Sequence, residues 1–302
     1  VTLPEGATAI DLLTGKPAAG LAQAKLSLKL APYEFRSFKA NSHEVKDIAY
    51  TKAGGNDHLG DLLLPSEVRD GTPVLLAIHG GGWSGGDRAS WAGVAEFFRS
   101  QLGFAVFNIE YRLAKDGQRW PACGDDCVEA ARFLLGGEFG RRFGVAPKKV
   151  WICGGSAGGH LALWTGLSLP AEQVAGIVSI SGIGDLAPDY AVNAGRYHGL
   201  FGRKPTPEEI SAAAPLSLIK KGGPRILCTH AKEDKVVPLA AEENFCRAYR
   251  EAGNTCRLFR YGAADEPNEG GHFIWRPGSK PHRLLGLLEN AIADFVGEGK
   301  GK

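Results

Sequence analysis

Val150-Trp151-Ile152-Cys153-Gly154-Gly155-Ser156-Ala157-Gly158-Gly159-His160-Leu161-Ala162-Leu163 is the stretch that decides how this chain is read. An apolar run of strand type leads into Gly154-Gly155-Ser156-Ala157-Gly158, and a helix-forming apolar segment follows. Strand, sharp turn and helix is the context that gives a Gly-x-Ser-x-Gly match its meaning. The turn holds the serine in a strained conformation with Oγ raised over the sheet. Side chains at the flanking positions would collide with the returning helix. A chain with 42 glycines in 302 residues produces this pentapeptide by chance at an appreciable rate. The remaining groups must therefore be found in the right order.

Outward from this stretch, residues 43–302 alternate strand and helix. Strands are expected at 45–51, 59–64, 74–79, 105–110, 150–154, 176–181, 226–230 and 257–261. Helices are expected at 91–100, 125–135, 156–167, 240–251 and 281–296. The helix assignments rest on spacing: Ala241, Phe245 and Tyr249, then Leu284, Leu288, Ala291, Ile292 and Phe295, recur at three or four. Short apolar strands between such helices imply an α/β fold, a mostly parallel sheet with helices on both faces. Ligands in such sheets bind at the carboxyl ends of the strands. Residues 189–209, with Tyr190, Tyr197, His198 and Phe201, are expected to form a small cap insertion suited to an open cleft.

Residues 1–42 read differently. Leu26, Leu28 and Leu30 alternate with polar residues, as do Tyr33 and Phe35, which argues for antiparallel strands.

Composition bounds the function. Apolar content of 44%, charged content of 23% and net charge +2 describe a globular chain with no basic face for nucleic acid. No apolar run reaches the roughly 18 residues of a membrane span. The chain begins at Val1 and contains no Met, so a processed or trimmed product is expected. Of six cysteines, Cys153 and Cys228 sit in apolar runs and read as buried thiols. Either Cys123 with Cys127 or Cys246 with Cys256 could form a disulfide; free thiols throughout are the alternative. A disulfide would favour an oxidising compartment, secreted or periplasmic, over a cytoplasmic one. The cysteine and histidine spacing does not support a metal site, and no cofactor is expected.

His79-Gly80-Gly81-Gly82-Trp83 follows the strand at 74–79. Glycines there leave backbone N–H groups free to face a developing oxyanion, and losing one such donor typically costs ~2.7–4 kcal/mol of transition-state stabilisation. Gly81 and Gly82, with Ala157 after the serine, are the expected donors. Trp83 is expected to wall the acyl pocket.

Together, His79-Gly80-Gly81-Gly82-Trp83 and Gly154-Gly155-Ser156-Ala157-Gly158-Gly159-His160 resemble the α/β-hydrolase fold. Within it the chain is similar to carboxylesterases with a His-Gly-Gly-Gly oxyanion loop, near the hormone-sensitive-lipase-like, feruloyl/acetyl esterase and arylformamidase branches. Glu110-Tyr111-Arg112-Leu113, Trp120-Pro121-Ala122 leading to Asp126, and Ala214-Pro215-Leu216-Ser217 also look familial. Gly155 departs from the lipase-like branch, where an acidic residue is usual, and pulls the resemblance towards the feruloyl/acetyl side.

A serine hydroxyl needs a base, and the base needs an acid to hold its tautomer. On this fold the order is Ser, then Asp or Glu, then His. Asp234, in His230-Ala231-Lys232-Glu233-Asp234-Lys235-Val236-Val237-Pro238, is the acid candidate. The stretch resembles the family's His-Gly-x-x-Asp-x-x-Val-Pro loop with Ala231 for glycine. His272, in Glu269-Gly270-Gly271-His272-Phe273, is the base candidate. Glu269 is a rival for the acid and His282 for the base. Asp265, Glu266 and Glu269 either line a polar cleft or form a solvated loop. His79 is expected to brace the oxyanion loop, and His160 and His230 to be structural.

Asp11-Leu12-Leu13-Thr14-Gly15-Lys16 and Leu28-Lys29-Leu30-Ala31-Pro32-Tyr33-Glu34-Phe35 resemble the last strands of the β-sandwich that often closes a glycoside hydrolase. That resemblance implies a module downstream of a glycoside hydrolase. The alternative is a strand pair packed on the main domain. The expected activity is removal of acetyl or feruloyl-type groups from carbohydrate by Ser156, His272 and Asp234. An arylformamidase-type amidase, a general small-ester carboxylesterase and a hydrolase-fold binding module are the alternatives.

Overall fold

Val74–Ile78, Ala105–Ile109 and Val150–Gly155 are buried at every position. Such runs are stable only in strands covered on both faces. The computed structural model describes residues 9–11, 21–22, 25–26, 38–40, 44–52, 55–262, 271–272, 274 and 283–298. The strands in chain order are β1 (Ala9–Asp11), β2 (Leu21–Ala22), β3 (Lys25–Leu26), β4 (Phe38–Ala40), β5 (Glu44–Ala49), β6 (Leu59–Leu63), β7 (Val74–Ile78), β8 (Ala105–Ile109), β9 (Val150–Gly155), β10 (Val174–Ile180), β11 (Ile226–Ala231) and β12 (Cys256–Tyr261). The α-helices are α1 (Ala92–Leu102), α2 (Ala122–Leu135), α3 (Gly137–Phe143), α4 (Ala157–Ser168), α5 (Leu186–Phe201), α6 (Pro207–Ala213), α7 (Ala240–Glu251) and α8 (Gly286–Gly297).

An eight-stranded sheet runs β12-β11-β10-β9-β7-β8-β6-β5. From β8 to β12 every pair is parallel; β6 and β5 join antiparallel at one edge. The chain moves outward from β7 to β8, then returns to place β9 on the other side of β7. Such a reversal of strand order is where loops part at the carboxyl ends of a sheet of this kind.

Alternation along the strands feeds two cores. Leu76, Ile78, Phe107 and Ile152 pack with α2, α4, α5 and α7 residues on one face. Leu75, Ala77, Val106, Trp151 and Cys153 pack with α1 and α8 residues on the other.

All eight strands expected between residues 45 and 261 form. Three helices lie beyond the five expected: α3, α5 and α6. The last two make up most of the cap between β10 and β11. Helix α5 contains Pro188, Gly195 and Gly199, and its backbone leaves helical geometry at Asn193. Those residues hide it from a periodicity reading. Near the N-terminus, β1 pairs antiparallel with β4 and β2 with β3. The expected alternation at Leu28, Leu30, Tyr33 and Phe35 lies outside the described residues, as do Asp265, Glu266, Glu269 and His282.

Candidate active site

Ser156 sits between β9 and α4 with φ 54° and ψ −123°, a region that side-chain-bearing residues rarely occupy. Its N–H donates to the Ile180 carbonyl at 2.9 Å and its own carbonyl accepts from His160 N–H at 3.1 Å. These bonds to the neighbouring strand and to the helix hold the strained residue in place. Gly158 is required by proximity: a Cβ there would lie 2.4 Å from the carbonyl oxygens of both Ile78 and His79. The start of α4 therefore abuts the end of β7. A Cβ on Gly155 would lie 2.3 Å from the Trp91 ring. The space a side chain at position 155 would take is filled by an indole.

Asp234 follows β11. Its Oδ1 accepts from the N–H groups of Val236 at 2.8 Å and Val237 at 2.9 Å. Its Oδ2 accepts from His272 Nδ1 at 2.8 Å. Burial pushes the carboxyl upward, but the hydrogen bonds from His272, Val236 and Val237 outweigh it and hold Asp234 below the usual aspartate value. The other ring nitrogen of His272, Nε2, lies 3.0 Å from Ser156 Oγ. A carboxylate accepts at Nδ1, so that nitrogen carries the proton and Nε2 is free to accept from the hydroxyl. Ser156 after β9, Asp234 after β11 and His272, which follows β12 in the chain, thus meet in one hydrogen-bonded line.

The glycine loop after β7 lies against this line. Gly81 has φ 123° and a Cβ there would lie 2.1 Å from the Gly85 carbonyl oxygen, so only glycine fits. The Gly81 carbonyl accepts from Ser84 and Gly85 N–H groups. Among the described residues no hydrogen bond takes the N–H of Gly81 or Gly82. Ala157 is the first residue of α4, where N–H groups have no partner within the helix. His79 braces the loop: Nδ1 donates to the Gly80 carbonyl at 2.7 Å, and the ring stacks on Tyr111 at 4.3 Å. The Tyr111 hydroxyl closes the brace on the His79 carbonyl at 3.0 Å.

Trp83 does not wall an open pocket. It is fully buried, its Nε1 donates to His160 Nδ1 at 3.1 Å, and its ring packs on Tyr197 of α5. The indole is consumed in joining the glycine loop to α4 and the cap. His160, buried as expected, passes this brace on: its Nε2 donates to the Ala213 carbonyl at 3.0 Å.

Two groups near the loop carry no signal in the sequence. The Arg196 side chain crosses Gly82, its Cδ 3.7 Å from where a Cβ would stand. It pairs at 3.3 Å with Asp189, which is fully buried and also accepts from the Tyr197 hydroxyl. Of the familial stretches, Arg112 and Asp126 meet directly, with Arg112 donating from its backbone and guanidinium to the buried carboxylate.

Cys246 and Cys256 are joined in a disulfide that links α7 to β12, while Cys123 and Cys127 are free. The Cys228 sulfur lies 4.0 Å from that of Cys256. These three are the metal-capable group among the described residues, and two of its sulfurs are committed to the bond.

The BD-FAE family model matches residues 60–248. Esterase LipQ of Mycobacterium tuberculosis is 28% identical over 291 residues, covering 90% of this chain and 66% of LipQ. Two solved structures share the fold at 22% identity and a TM-score of 0.72. One is a truncated carbohydrate esterase from gut microbiota, covering 86% of this chain and 97% of that one. The other is a bifunctional GH43-CE protein of Bacteroides eggerthii, covering 87% of this chain and 39% of that one. The chain thus spans just under two thirds of LipQ and well under half of the bifunctional protein.

Proposed function

Given that the chain belongs to the BD-FAE family, we propose that it is a serine carboxylesterase removing acetyl or feruloyl-type groups from carbohydrate. The observation that carries the reading is His272, bonded through one ring nitrogen to Ser156 and through the other to Asp234. Ser156 Oγ attacks the ester carbonyl while His272 Nε2 takes its proton. Asp234, held ionised by its hydrogen bonds, fixes the tautomer and balances the imidazolium. Charge developing on the carbonyl oxygen meets the N–H groups of Gly81, Gly82 and Ala157. His272 returns the proton to the departing alcohol. Water then repeats the sequence on the acyl-serine, regenerating the hydroxyl and releasing the acid.

The carbohydrate side of the reading draws on the names of the fold neighbours. The bifunctional one supports a further proposal, that a glycoside hydrolase module precedes this chain. The disulfide supports an oxidising, extracytoplasmic location.

A panel of acetylated and feruloylated xylo-oligosaccharides, p-nitrophenyl acetate and N-formylkynurenine tests the assignment. The expected result is release of acid from the acylated sugars, absent in Ser156→Ala. Turnover of p-nitrophenyl acetate alone would reduce the reading to a general small-ester esterase. Preferred turnover of N-formylkynurenine would replace it with an amidase.

A further inference from the structure

We propose that His230 is a positioning residue for the acid of the triad, a role that rests on the esterase reading above. His230 lies on β11, four residues before Asp234, and both side chains are fully buried. Its Nε2 lies 3.0 Å from the Val237 carbonyl and 3.5 Å from Asp234 Oδ2. A carbonyl only accepts, so Nε2 carries the proton and is aimed between these two oxygens. The same Val237 donates its N–H to Asp234 Oδ1 at 2.9 Å. His230 therefore fixes one end of the residue whose other end fixes the carboxylate. It also places a second ring N–H beside Oδ2, the oxygen that receives His272.

Burial makes this choice of residue informative. The other nitrogen of the ring, Nδ1, has no partner among the described residues. An unpaired buried polar atom costs about 1–3 kcal/mol. An apolar side chain of similar size would avoid that cost but would leave the buried Val237 carbonyl without its donor. What only the imidazole offers is the Nε2–H, and all its described hydrogen bonding is spent on the loop that carries Asp234. Retaining a half-satisfied buried ring follows if the N–H is needed for the geometry of the acid.

The test is steady-state hydrolysis of p-nitrophenyl acetate by the intact chain, with His230→Leu, His230→Gln and His230→Asn beside wild type. Leucine removes the donor. Glutamine extends far enough to put an N–H near the position of Nε2, and asparagine does not. The expected result is a fall in kcat of about 10- to 100-fold for H230L and H230N with KM near wild type, as for small misplacements of catalytic groups. H230Q is expected to recover most of kcat, while H230L and H230N both lower the melting temperature because the buried Val237 carbonyl is left unpaired. A kcat for H230L within twofold of wild type would overturn the proposal. So would H230Q and H230N being equally slow, a comparison that stands even if H230L fails to fold. Wild-type protein without ester turnover would instead count against the function proposed above.

Discussion

At the scale of single residues, the account turns on which carboxylate faces His272. Asp234 accepts from its Nδ1 at 2.8 Å while tied by two backbone N–H groups. Asp234→Asn keeps the shape but removes the charge and favours the wrong tautomer. It is expected to lower kcat by about 10³–10⁴ with little change in KM. Glu269→Gln, the rival substitution, is expected to leave kcat within a few fold; the reverse ranking in the same esterase assay would reassign the acid. A second prediction concerns Gly155. Because Trp91 stands 2.3 Å from its missing Cβ, Gly155→Asp must displace a packed indole. We expect a loss of at least about 1–3 kcal/mol in urea unfolding, where an unchanged midpoint would refute the packing argument. That Ser156, Asp234 and His272 meet was legible because each stands in a motif that follows a strand. The roles of Trp91 and Arg196 were not, because nothing in the sequence says that they approach Gly155 and Gly82. Trp83 is ambiguous in the sequence for a related reason. An aromatic after a glycine loop suits a pocket wall or a core, and only the positions of His160 and Tyr197 decide for the core.

At the scale of elements, an imidazole ties the cap to α4. His160 on α4 accepts from Trp83 and donates to Ala213 at the end of α6, which requires the neutral ring. Burial lowers its pKa from 6.5 to about 4. A histidine with a lowered folded pKa stabilises the fold above its unfolded value, and that contribution is lost as pH falls through the folded one. The window is therefore pH 6.5 down to about 4, and the contribution is on the order of 3 kcal/mol. Urea unfolding of wild type and His160→Gln at pH 7, 6, 5 and 4.5 checks it. Wild type is expected to lose more stability across that range than the variant, and parallel curves would show that the ring is not a titrating brace. Strands were easier to read than helices at this scale. Continuous apolar runs such as Val74–Ile78 have one interpretation when helical patterns flank them. Helix α5 carries Pro188, Gly195 and Gly199, and it holds together through a bond within it, Tyr197 to Asp189, and a tertiary contact, Tyr197 against Trp83.

At the scale of the whole molecule, the sheet order gives the site its place. The switch between β7 and β9 puts the glycine loop beside the Ser156 turn, and β11 and β12 deliver Asp234 and His272 from the far half of the sheet. That plan follows from alternating strands and helices, so the fold class was legible in full. The cysteine pairing was not, because Cys123 with Cys127 and Cys246 with Cys256 have equally plausible spacing until α7 and β12 are seen to pack. The Cys246–Cys256 bond joins residues ten positions apart, for which chain entropy gives about 2–3 kcal/mol. Cys246→Ser is expected to lower unfolding stability by that amount under oxidising conditions and to make it insensitive to reductant. Equal stability of wild type with and without reductant would argue that the bond does not form. The central claim, that one serine is activated by the His272–Asp234 pair, is tested most directly by covalent labelling with a fluorophosphonate followed by peptide mass mapping. The account predicts one phosphonyl group per wild-type chain, on Ser156, with labelling slowed at least about 10³-fold in His272→Ala. Labelling of another residue, or of Ser156 at an undiminished rate without the imidazole, would contradict it.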